Sequence, residues 1–170
     1  AAADLDAADV AALDTALSDL AGLETLIKQA IVDKTAFNKA LELFDLRMVP
    51  LGNHHLKATP EIAPEIKKLT DLRDEAVALA QTGKLTEATA KITGLEAQFA
   101  ATEEMADDLG HFNALNAVRK VTVDANRGVV TNDPAIDTPM RQIEKLYDDA
   151  QTDRAAKAFK DGIAKLEKIA

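Results

Sequence analysis

Apolar residues recur along this chain in steps of three and four. The first run is Val10, Leu13, Leu17, Leu20, Leu23, Ile27 and Ile31, a spacing that places them on one side of an α-helix in a near-heptad stripe. The pattern predicts a first helix, capped by Asp6 or Asp9, that buries this stripe. Asp33 is placed to cap a second helix, with Phe37, Leu41, Phe44 and Met48 on one face and Pro50 and Gly52 at its end. Thr59-Pro60 marks the start of a third, because Thr caps well, Pro suits the first helical position, and Glu61 and Glu65 complement the helix dipole. Its inward face runs Ile62, Ile66, Leu69, Leu72, Ala76 and Leu79, and it stops at Thr82-Gly83. The connection there is tight, so a fourth helix through Leu85, Ala88, Ile92, Leu95 and Phe99 is expected antiparallel to the third.

The rhythm continues through Met105, Leu109 and Phe112, with Leu115, Val118 and Val121 beyond, and Gly110 offers a place for a break or bend. Over 119–131 the expected form is a helix ending near Asp124, with a small hairpin about "DANRG" as the alternative. The segment "NRGVVTNDPAIDTP" reads as the longest loop. Thr138-Pro139 then repeats the cap-plus-proline signal and opens a helix through Met140, Ile143, Leu146, Tyr147 and Ala150. It either turns at "QTD" or continues to Phe159, Ile163, Leu166 and Ile169. The predicted fold is therefore all-α: an up-and-down four-helix bundle extended by one to three additional helices. In this single domain, residues 1–110 form the four-helix unit and 111–170 the additional helices.

Composition agrees with packed helices: the apolar content is mostly Ala and Leu, with one Tyr and no Trp. Twenty-nine acidic against 20 basic residues leave a net charge of -9, and no basic stripe is interleaved with aromatics, which argues against nucleic-acid binding. No apolar run reaches membrane-spanning length, so no transmembrane segment is expected. With no Cys there is neither a thiolate metal site nor a cysteine nucleophile. Residues 1–27 carry six acids and no base, while 154–170 carry five bases and two acids, which predicts terminal helices lying side by side. The start, "AAADLD", looks like a mature chain after signal-peptide cleavage, so a periplasmic or secreted protein is expected.

Three stretches resemble the cytochrome b562 family of periplasmic four-helix haem proteins: "ADL" near the start, "KATP" before the third helix, and "PEIKKL" followed by "EAVALAQTGKLTEATA" across the next turn. The likeness runs from Ala3 to Phe99 and implies a four-helix bundle in an exported compartment. It does not carry the family's haem. The axial Met and His positions of that family fall here on Asp9 and near Glu103, and a carboxylate is a poor substitute for either ligand.

The densest polar cluster is "TEEMADDLGH". On one helix Glu104, Asp108 and His111 share a face, and Asp108 and His111 have the spacing that di-metal bundles use. His54 and His55 stand in the "MVPLGNHHLKATPE" segment, which the up-and-down topology brings to the same bundle end. His54, His55, Glu104, Asp108 and His111 are accordingly the candidate metal ligands, for a divalent metal or, through the histidines, haem. No phosphate loop, no Ser beside a His and no facing carboxylate pair occurs, so no catalysis is expected. The expected function is that of a non-catalytic exported binding or ligand-sensing protein, with a protein or small molecule as partner. The alternative is a haem or metal carrier using His54, His55 and His111.

Overall fold

The structure, a computed structural model, describes residues 7–129 and 131–169. These form an all-α helical bundle with additional helices, and no strand occurs among them. The six helices are α1 (Ala7–Asn53), α2 (Ala63–Gln81), α3 (Leu85–Thr93), α4 (Glu96–Asn126), α5 (Pro134–Ala155) and α6 (Phe159–Glu167). No described helix is long and apolar enough to cross a membrane.

The largest departure from expectation is α1, a single helix of 47 residues where the pattern predicts two. No Gly or Pro interrupts residues 23–49. The Asp33 carboxylate accepts a hydrogen bond from Gln29 Nε2 at 2.8 Å, a link along the helix surface rather than a cap. Pro50 lies inside α1 close to its end, where it removes one intrahelical bond without stopping the helix. After Asn53, Lys57 Nζ donates to the Gly52 carbonyl at 2.6 Å, satisfying one of the orphaned C-terminal acceptors. Asp6, one of the two expected caps, lies outside the described residues. The stripe expected to be buried is exposed: Leu17 and Leu20 keep 63% and 62% of their accessible surface, against 6% and 4% for Phe37 and Phe44.

Smaller corrections follow from local hydrogen bonding. Thr59 does not cap α2 with its side chain; its hydroxyl donates to the Leu56 carbonyl, and its own carbonyl accepts from Ala63 in a turn that leads into the helix. The expected fourth helix is broken at Gly94-Leu95 into α3 and α4. Gly110 stays helical, and α4 runs on to Asn126 in place of any hairpin. Val118 and Val121 of α4 are exposed, and Val123 takes the inward place. The last long helix starts at Pro134, not at Pro139, because Asp133 Oδ1 accepts from Ala135 N–H at 2.9 Å and Pro134 fills the first position. At the C-terminal end "QTD" stays helical within α5 and the chain turns later, at Ala156 to Ala158, before α6.

The chain divides into two compact units whose boundaries fall inside α1, inside α2 and between α3 and α4. One takes α1 up to Met48 together with Thr70–Leu95. Here Phe37, Ala40 and Phe44 of α1 are buried, as are Ala76 of α2 and Ala88 and Ile92 of α3. Arg73 grips both oxygens of Asp45, at 2.8 and 3.2 Å, and Lys91 meets Glu75 at 2.5 Å. The other unit takes Val49–Leu69 and the chain from Glu96. Its helices α4, α5 and α6 pack on one another around Phe112, Val123, Tyr147, Ala150, Ile163, Leu166 and Ile169. A second cluster joins Leu56 and Ile62 to Ala106 and Leu109 of α4 and Phe159 of α6. The C-terminal bases, expected to meet acids of the first helix, find partners within this unit: Arg154 with Glu61, Lys157 with Glu65, Lys160 with Glu104 and Lys165 with Asp153.

Candidate functional site

The five residues expected to ligate a metal all belong to the second unit, on two segments that do meet. A β-carbon added at Gly110 would lie 3.8 Å from Leu56 Cδ1, and Leu56 packs in the cluster that holds Ala106 and Leu109. Apolar side chains make that junction, because burying Leu56 and Ile62 excludes water from it while the imidazoles stay near the surface. His54 is half-buried, and its Nδ1 accepts the Leu56 N–H at 3.2 Å, which occupies that ring nitrogen. His55 is exposed and its ring lies 4.6 Å from that of His54, tilted by 31°. His111 is exposed on α4. Among the described residues no three of His, Asp and Glu are grouped so as to hold a metal ion together.

Glu104 and Asp108 belong instead to a cleft of about 390 Å³, lined on α4 by these two residues with Ala101 and Met105, and opposite by the stretch Lys157 to Asp161. Lys160 binds Glu104 across it. The hydrogen bond to Glu104, followed by the charges of Glu104 and Asp108, raises the Lys160 pKa above its ordinary 10.5. The cleft is thus an ion-pair cluster in which an ammonium group already answers the carboxylates.

Lys157 has the most unusual backbone here. Its φ is +59°, the one positive value at a non-glycine position among the described residues. It ends α5: Lys157 N–H donates to the Arg154 carbonyl and Ala158 N–H to that of Asp153, at 3.0 and 2.8 Å. The same pair of bonds closes α2, where the left-handed residue is Gly83, the type that adopts this conformation freely. Lys157 Nζ reaches the Glu61 carbonyl at 3.3 Å and Glu65 Oε1 at 3.5 Å. It also lines a second cleft, of about 520 Å³, with Pro60, Glu61, Gln151, Arg154 and Ala155. Arg154 Nη2 donates to Glu61 Oε1 there at 3.3 Å. Neither Gly nor Pro signals this turn, so the sequence holds no mark that would locate it.

The remaining feature of note is α1 itself. Val10, Leu17, Glu24 and Ile31 occupy one heptad position, and Leu13, Leu20, Ile27 and Lys34 the other. Asp9, Asp14, Ala16, Ala21, Leu23, Lys28 and Ala30 flank this seam. The six aliphatic seam residues and Leu23 are all about half exposed or more. The helix is held by local links: Lys28 to Glu24 at 2.6 Å, Gln29 to Asp33, and the hydroxyls of Thr15, Thr25 and Thr35 donating to carbonyls four residues back. No family model, curated protein or solved structure matches this chain.

Proposed function

We propose that this is a non-catalytic binding protein that works by helix-to-helix contact, with residues 7–36 of α1 as the contact element. One observation carries the reading: the aliphatic side chains of one heptad seam of α1 are all about half exposed or more, while Phe37 and Phe44 farther along the same helix are buried. Each square ångström of such surface removed from water is worth roughly 25 cal/mol, and a narrow seam of this period fits one more helix. Export to the periplasm, which the resemblance implies, suits such a protein. The carrier alternative asks His54, His55 and His111 to converge, and no observation favours it over helix docking.

The test uses the intact protein and a synthetic peptide of residues 7–36 as the probe. Amide exchange across α1 should slow by tenfold or more when the peptide is added. A peptide with Leu13, Leu17, Leu20 and Ile27 replaced by Ser should leave exchange unchanged. Equal exchange with both peptides, at concentrations up to the millimolar range, would remove α1 as a docking element.

A further inference from the structure

The seam on α1 has a charge pattern that selects its occupant. From Ala7 to Ile27 the charged residues are Asp9, Asp14, Asp19 and Glu24, with no base; from Lys28 to Ala36 they are Lys28, Asp33 and Lys34. One end of the exposed stretch is acidic and the other mainly basic, so the stretch is complementary to itself reversed. We propose that two copies of this chain pair through residues 7–36 of α1 as an antiparallel coiled coil, an inference that rests on α1 being the docking element.

The register follows from the heptad positions. Antiparallel seams set each residue of one heptad class beside one of the other. Leu17 then faces Ile27 of the second copy, Leu13 faces Ile31, Leu20 faces Glu24, and Val10 lies along the stem of Lys34. At the flanks Asp14 meets Lys28 on one side, and Ala16 meets Ala30 on the other. Leu23 faces its own copy, as does Ala21, and the small Ala16, Ala21 and Ala30 at the flanks let the backbones approach. A parallel pair would instead set Glu24 against Glu24 in the seam and Asp9 against Asp14 beside it, which like-charge repulsion opposes. Glu24 thus acts as an orientation marker: within its own helix it pairs with Lys28 at 2.6 Å, which lets its stem cover Leu20 of the second copy while its charge stays at the rim.

The overlap ends where it should. Residues 7–32 and 34–36 are exposed and Asp33 is half-exposed, whereas Phe37 opens the packed part of α1. At roughly 100 Å² of exposed surface for each of the seven aliphatic residues, the two copies together offer on the order of 1,400 Å², within the range of about 1,200–2,000 Å² that specific interfaces bury. Leu26 and Val32 lie outside this seam.

Because the chain has no Cys, single cysteines report orientation cleanly. Sedimentation of the full chain from low to several hundred micromolar should show a monomer–dimer equilibrium. Mixed Leu13→Cys and Ile31→Cys proteins should form the heterodisulfide under mild oxidation, while Leu13→Cys alone should not cross-link to itself. Lys28→Glu should weaken the dimer severalfold at low salt, and adding Asp14→Lys should restore it. Self-linking of Leu13→Cys without the heterodisulfide would overturn the antiparallel arrangement. A full chain that stays monomeric while still binding the 7–36 peptide would overturn self-association and leave helix docking standing; failure of both would end both readings.

Discussion

Gly162 measures how close α6 comes to its neighbours. A β-carbon there would lie 2.7 Å from Phe112 Cε2, closer than packed atoms allow, and 3.2 Å from the Ala150 carbonyl oxygen, a tight contact. Phe112 is fully buried and its ring sits 6.5 Å from that of Phe159, so it has no solvent to retreat into. Gly162→Ala should therefore destabilise the protein by about 1–3 kcal/mol despite the better helix propensity of Ala, as read from urea midpoints. Lys160 makes the opposite kind of contact, an exposed ion pair. Glu104 raises its pKa in the folded chain. The pair's contribution is therefore complete below the unfolded value of 10.5 and is lost as pH climbs through the folded one. Lys160→Met and the parent should differ in urea midpoint at about pH 8 and converge near about pH 12. A gap that widened with alkalinity would contradict the assignment.

At the scale of elements, the chain's helix ends divide into those with a residue-type signal and those without. Gly83 after α2 and Asp133-Pro134 before α5 are legible, since each supplies the conformation or acceptor its position needs. The turn between α5 and α6 is not, because an ordinary Lys accepts a left-handed backbone there. Lys157→Gly should relieve that strain and raise stability by about 1 kcal/mol or less, the loss of weak contacts to Glu61 and Glu65 offsetting part of the gain. Lys157→Ala, which keeps the strain and loses the contacts, should lower stability; thermal melts of the two variants separate these effects. Asp33 is the converse case, a good cap residue that caps nothing. Without a Gly or Pro nearby to end the preceding helix, its carboxylate simply joins the surface of α1.

At the scale of the whole chain, two compact units share α1 and α2, and the candidate metal ligands fall in one of them without converging. The meeting of the 54–62 segment with α4 was legible from helix order, but which side chains would make it was not: Leu56 and Ile62 turn inward because they are apolar, and the histidines beside them do not. The glutamate and aspartate on α4 were found by helical spacing. Their partner Lys160, 56 residues away, was invisible to any local pattern. The sequence by itself determined that the chain is helical, where its inward stripes run from Phe37 to Phe112, and that α1 carries a heptad seam, because all three follow from side-chain periodicity along one element. Only the tertiary structure decided that the seam of α1 is left in water, that its expected break does not occur, and that the carboxylates of α4 face an ammonium group. Those outcomes depend on which surfaces find each other across long separations, and periodicity records that a face is apolar without recording what covers it.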